Sequence, residues 1–249
     1  MRLARVNATY LPGIPFPSCL EVTHALDAAL NGAELVVSAV PSHGTREIVR
    51  VASPLVPPGT IVVSATKGLE QDTLLRMSEV LLEELQPGVH VAVLSGPSFA
   101  AELARELPTA VSVASLNAHV VEQVQEEFRA PYFRLYGTAD VVGVEIGGAL
   151  KNVIAIAAGV TEGLGLGHNA LAGLITRGLA ELTRLNEAAR ATTQPEIVKQ
   201  QQRQQELETV TEQVQALEQN TGMSEQEKRV KLAALKERTR KLLHLLLVG

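Results

Sequence analysis

At 249 residues the chain is long enough for one large domain or two modest ones. Its 46% hydrophobic and 20% charged residues fit a folded globular protein and exclude wholesale disorder. A formal net charge of −5 and an aromatic share of 3% leave neither the basic footprint nor the stacking platforms of a nucleic-acid binder.

In chain order, a strand is expected at Leu20–Thr23, then strands at Glu34–Val40, Thr60–Ala65, His90–Leu94, Ala110–Ala114 and Phe133–Tyr136. Helical patterns fall between them, over Gly44–Ala52, Asp72–Leu85, Phe99–Glu106 and Ala118–Phe128. Strand, helix, strand at this spacing predicts an α/β fold, a partial Rossmann-type, doubly wound parallel sheet followed by helices. A helical stretch from Val141 to Leu185 is interrupted at Gly163–Gly167. All but two of the 19 glycines precede Arg190, and from Gln194 the composition turns rich in Gln and Glu. There Leu207, Val210, Val214 and Leu217, then Leu235, Thr239, Leu242 and Leu246, keep a three-four rhythm on either side of Asn220-Thr221-Gly222. That spacing suits a helical hairpin, an intermolecular coiled coil making a homo-oligomer, or a solvated helical tail. Ser224 and Glu227 form a candidate capping box for the second helix. The expected domains are 1–138, 139–189 and 190–249.

Cys19 is the only cysteine, which excludes an internal disulfide and a cysteine-based zinc site and points to a reduced, cytoplasmic setting. The opening MRLARVNATYLPG lacks the apolar run of a secretory signal. No segment is expected to reach the roughly 20 apolar residues of a membrane span.

Three segments carry candidate chemistry. In Ser64-Ala65-Thr66-Lys67-Gly68, a lysine follows small residues where a strand should end, and ligands of parallel sheets bind at that edge. Lys67 could meet a phosphate or carbonyl oxygen there, or stand as a surface lysine at a turn. In Ser95-Gly96-Pro97-Ser98-Phe99-Ala100, Gly96 permits close backbone approach and Ser98 would cap a helix with free N–H groups. In Gly147-Gly148-Ala149-Leu150-Lys151-Asn152, Lys151 interrupts an apolar helix. Burial there would disfavour its charged form and suit a general base; otherwise it snorkels from the helix edge.

Taken together, AVPSH, ATKGLE, SGPSFAAEL, PTAVSVAS, GALKNVIAIAAG and NALAGLITRGLAELTRL, with Tyr10–Ile14 before them, resemble the bacterial-type NAD(P)-dependent glycerol-3-phosphate dehydrogenase family over about residues 5–185. The resemblance implies an N-terminal Rossmann domain, here residues 1–138 and incomplete, and a helical substrate domain beginning at 139–189. It implies interconversion of glycerol 3-phosphate and dihydroxyacetone phosphate with NAD or NADP. By motif, Lys151 corresponds to the proton acceptor and Lys67 to a lysine touching cofactor and substrate. Gly96 and Ser98 correspond to substrate contacts, and Ala100 to a cofactor contact.

The pattern also departs from the family. No glycine precedes Gly13, so the G-x-G-x-x-G turn that cradles a pyrophosphate has no counterpart, and weak cofactor binding and no turnover are expected of the isolated chain. No Arg-Asn phosphate clamp is recognisable between Asn186 and Gly249, and Glu162 and His168 stand where the family turn carries smaller or aspartate residues. The competing readings are an inactive fragment or fusion with a self-associating helical tail, and a β-hydroxyacid-type dehydrogenase. ATKGLE and SGPSFA alongside GALKN speak against the latter.

Overall fold

The computed structural model describes residues 4–219 and 223–248, with side chains throughout except at 193–205, 207–208, 225 and 242–248. Residues 1–190 form one compact unit and 191–249 a second.

The first unit opens with a small antiparallel pair, β1 (Val6–Asn7) and β2 (Leu11–Pro15). A one-turn helix, α1 (Leu26–Leu30), precedes the main sheet. That sheet has five strands in the order β3 (Leu35–Ser38), β4 (Ile61–Ser64), β5 (His90–Ser95), β6 (Thr109–Ala114) and β7 (Phe133–Thr138). All five runs of β-branched residues named from sequence are strands. Leu20–Thr23 is not: its backbone is irregular, and the Arg5 guanidinium donates to the Leu20 carbonyl at 3.0 Å.

Helices cover both faces, which is why the strands read as nearly continuous apolar runs. On one face α2 (Ser42–Ala52) and α3 (Met77–Glu84) bury Val49 and Leu81 against Val62 and Val91. On the other, α5 (Ala118–Glu127) packs Val120, Val121 and Val124 against Val63, Leu94 and Val113. α3 is shorter than expected because residues before it form a turn, with Leu74 at φ 60° and Leu69 bridged to Arg76. Glu79 then starts the helix by accepting the Arg76 backbone N–H at 2.8 Å.

One pairing differs from the expected parallel sheet. β5 and β6 run antiparallel, whereas β3–β4, β4–β5 and β6–β7 are parallel. The segment between β5 and β6 was expected to be a helix over Phe99–Glu106, but only one turn forms, α4 (Ala100–Leu103). A parallel return needs a crossover of a dozen or more residues laid back across the sheet. Without it the chain turns and comes back in the opposite direction.

Two long helices complete the architecture, α6 (Val141–Gly163) and α7 (Gly167–Gln219), separated at the glycine turn where Gly165 and Gly167 have φ 66° and 81°. Asp140 caps α6 by accepting the Gly143 N–H at 3.0 Å, and is itself ion-paired with Arg190. α6 corrects one expectation: among the described residues it is long and apolar enough, by length and composition alone, to cross a membrane. Val141 and Val142 in its first turn are nevertheless buried with Val93 and Ala114 of the sheet nearby.

In the second unit, α8 (Glu225–Val248) follows α7. Ser224 Oγ accepts the Glu227 N–H at 3.3 Å, one half of the expected capping box. Lys228 donates to the Glu218 carbonyl at 2.7 Å, and Lys236 faces the Glu218 carboxylate at 3.7 Å. Val210 is buried, and Val214, Leu217, Leu235 and Thr239 are half-buried; the side chains of Leu207, Leu242 and Leu246 lie outside those described.

Candidate active site

Where β4 and β5 end, the chain forms an open cleft of roughly 520 Å³ whose lining includes Lys67, Ser95, Gly96, Ser98, Gly148 and Lys151. Each arrives by its own route. Lys67 sits three residues beyond β4, and the loop carrying it is clamped by Arg46 of α2, which donates to both oxygens of Glu70 at 2.7 and 2.8 Å. Gly96 follows β5 directly, at φ 156°, and a Cβ there would stand 2.8 Å from the Cα of Val111 on β6. Only glycine lets the chain leave β5 so close to its antiparallel neighbour. α6 brings Gly148 against Ser95 and holds Lys151 at the rim.

Four residues singled out from sequence, Lys67, Gly96, Ser98 and Lys151, therefore share one cleft. Ala100 does not line it; it is exposed at the start of α4. Two further expectations are corrected. Ser98 does not cap a helix: Phe99 is the residue preceding α4, which makes only one turn and has no side-chain cap. Lys151 is not buried either: it is exposed and donates from Nζ to Asn152 Oδ1 at 2.8 Å. Beyond Gly148, α6 leaves the sheet, so Val153, Ile156 and Val160 are exposed as well.

The perturbed lysine is Lys67. Desolvation in the cleft and the neighbouring charge of Lys151 both hold its ammonium below the ordinary lysine range. Among the described residues no carboxylate lines the cleft, so two cations and three serines, Ser95, Ser98 and Ser112, share a common space. Such a set suits an anion or a polarised carbonyl oxygen. Among the described residues, no cluster of three His, Cys, Asp or Glu side chains could hold a metal ion.

The first 121 residues match the family model for the N-terminal part of NAD-dependent glycerol-3-phosphate dehydrogenase, and residues 140–200 match the model for its C-terminal part. The chain belongs to the glycerol-3-phosphate dehydrogenase family. It is 52% identical over 190 residues to the NAD(P)+ enzyme of Geobacter metallireducens, covering 76% of this chain and 57% of that one. The Myxococcus xanthus enzyme is 54% identical over 181 residues, 72% of this chain and 54% of its own. The crystal structure of glycerol-3-phosphate dehydrogenase from Coxiella burnetii superimposes with a TM-score of 0.70 at 42% identity, covering 76% of this chain and 57% of that one. The chain thus spans a little over half the length of these relatives.

A buried ion pair, which sequence reading overlooked, joins the parts matched by the two family models. Arg76 donates to Glu145 Oε2 at 2.6 Å; Ser78 donates its hydroxyl to the same oxygen at 2.6 Å and its backbone N–H to Oε1 at 2.8 Å. Both charged side chains are 3% exposed. Burial pushes the Glu145 carboxyl upward, opposed by the Arg76 charge and the Ser78 hydrogen bonds. A signal was present: Glu145 shares a helical face with Val141, Val142 and Gly148, whereas Lys151 lies off that face. Gly148, Ser95 and Ser112 were also passed over. The Gly147-Gly148 doublet, unfavourable inside a helix, was the clue that another element approaches there.

Proposed function

We propose that this chain carries the reacting lysines of an NAD(P)-dependent glycerol-3-phosphate dehydrogenase, interconverting glycerol 3-phosphate and dihydroxyacetone phosphate. The observation that carries the reading is the meeting of Lys67, Gly96, Ser98 and Lys151 in one acid-free cleft. Within it, residues 1–138 act as the dinucleotide-binding part and 139–189 as the start of the substrate domain.

When bound, the nicotinamide supplies the hydride chemistry at C2 of the substrate. The donor set fits that end of a dinucleotide: Lys67, serine hydroxyls and open backbone at Gly96 suit an amide and a ribose, and Ala100 is the nearby contact the family pattern suggests. Among the described residues, no strand of the main sheet leads through a glycine-rich turn into a helix, the arrangement that cradles a pyrophosphate. In ketone reduction the Lys151 ammonium gives a proton to the forming hydroxyl, and in oxidation its amine takes that proton back. Lys67 stands as the positive charge beside the substrate oxygen, where electron density builds as the carbonyl is reduced. Gly96 and Ser98 supply backbone and hydroxyl contacts that orient the substrate.

Dihydroxyacetone phosphate titrated into the chain should shift the side-chain NMR signals of Lys67 and Lys151 saturably. Lys67→Met and Lys151→Met should each weaken that saturable shift at the remaining lysine. Unmoved lysine signals would overturn the reading.

A further inference from the structure

We infer that Glu145, through its buried bonds to Arg76 and Ser78, is the positioning residue that sets the register of α6 on the sheet and so places Lys151 opposite Lys67. The inference rests on the reading of these two lysines as the reacting pair.

Only the first two turns of α6 touch the sheet; from Lys151 onward nearly every residue is exposed or half-buried. The position of Lys151 is therefore decided upstream. Three kinds of contact hold that upstream part. Val141, Val142 and Val144 bury apolar surface, an attraction without direction, which tolerates small rolls and slides. Asp140 pairs with Arg190, but that bond ties α6 to α7 and not to the sheet. Glu145 is different: among the described side-chain hydrogen bonds of α6, only its bonds reach the N-terminal part of the chain.

Three donors converge on its two oxygens from fixed directions, two from the first turn of α3 and one from the guanidinium that precedes it. α3 is itself immobilised, with Met77, Val80 and Leu81 fully buried. A slip of α6 by one residue would turn its faces by about 100° and move it about 1.5 Å, breaking all three bonds. Lys151 lies six residues on, about 9 Å along the same helix. The same slip would carry its amine away from Lys67. Arg76 also bridges Leu69, so the segment it closes begins two residues beyond Lys67.

A purely structural ion pair would be replaceable by apolar side chains of similar volume, often with no loss of stability. That separates the two roles. The test is the NMR titration of Lys67 in the full chain and in the Arg76→Met/Glu145→Leu double variant, each with and without Lys151→Met. In the native background, Lys151→Met should raise the Lys67 midpoint, because a neighbouring cation is removed. In the double variant, cooperative thermal unfolding should persist while most of that Lys151-dependent rise is lost. An equal rise in both backgrounds would overturn the positioning role and leave the functional reading standing. No rise in the native background would show that the lysines do not share the cleft, and both would fall. Dihydroxyacetone phosphate that leaves both lysine signals unmoved, with the titration pattern intact, would sink the functional reading alone. Should the double variant fail to fold, Glu145→Asp keeps the charge and shortens its reach; it should weaken the coupling, and an unchanged rise there is equally fatal.

Discussion

Gly148 of α6 lies so close to the end of β5 that a Cβ on it would stand 2.5 Å from Ser95 Oγ. The second tight glycine of the cleft, Gly96, would place its Cβ 2.8 Å from the Val111 Cα. The two contacts differ in what can yield. A serine hydroxyl rotates to another staggered position, and alanine in a helix interior gains about 1 kcal/mol over glycine. Gly148→Ala should therefore change stability by no more than about 1 kcal/mol. Backbone cannot rotate away, so Gly96→Ala should cost about 1–3 kcal/mol from overpacking alone, with strain at φ 156° added. Urea unfolding of the two variants checks this, and equal losses would contradict it.

Removing one member of the buried pair should cost far more than removing both. Arg76→Met leaves a carboxylate without its counter-charge and should destabilise the chain by about 3–5 kcal/mol near neutrality. The sign with pH is also set. Burial already raises Glu145, and without Arg76 only the Ser78 hydrogen bonds oppose that push, so the folded value lies further above the unfolded one. Stability gained by taking up a proton is present below the unfolded value and lost as pH rises through the folded one. The deficit of the variant relative to the native chain should thus shrink on acidification from neutral pH. A deficit independent of pH would refute the account.

Glu70 predicts the opposite slope. Hydrogen bonds from Arg46, then Thr73, hold its carboxyl down at about 2, against an ordinary value of 4.5. Its contribution is present above the ordinary value and is lost as pH falls toward 2. Thermal midpoints measured stepwise through that interval should fall more steeply for the native chain than for Glu70→Gln. Parallel curves would mean that the Arg46 clamp on the Lys67 loop contributes nothing.

Asp140 offers a simpler check. Its side chain accepts the Gly143 N–H at the start of α6 and is held there by Arg190. Asp140→Ala should cost about 0.5–2 kcal/mol, the usual range for a lost N-cap. Chemical denaturation showing no loss would indicate that the start of α6 is held by its valines alone.

What was legible in the sequence was local. The β-branched runs around Val36, Val62, Val91, Val111 and Leu135 announced their strands, because burial on both faces demands apolar residues at every position. The motifs around Lys67, Gly96, Ser98 and Lys151 pointed to residues that do share a cleft, since ligands gather at strand ends whatever the details of packing. The direction of β6 was not legible, because it depended on whether the residues after Gly96 could build a crossover, and a single turn of helix could not. Nor was it legible which charge on α6 is buried. Composition marks that helix as apolar, but the docked face is chosen by contact with Arg76 and Ser78, 69 and 67 residues away. Directional bonds between distant segments decided that Glu145 goes inside and Lys151 stays at the rim, and a local pattern carries no record of them.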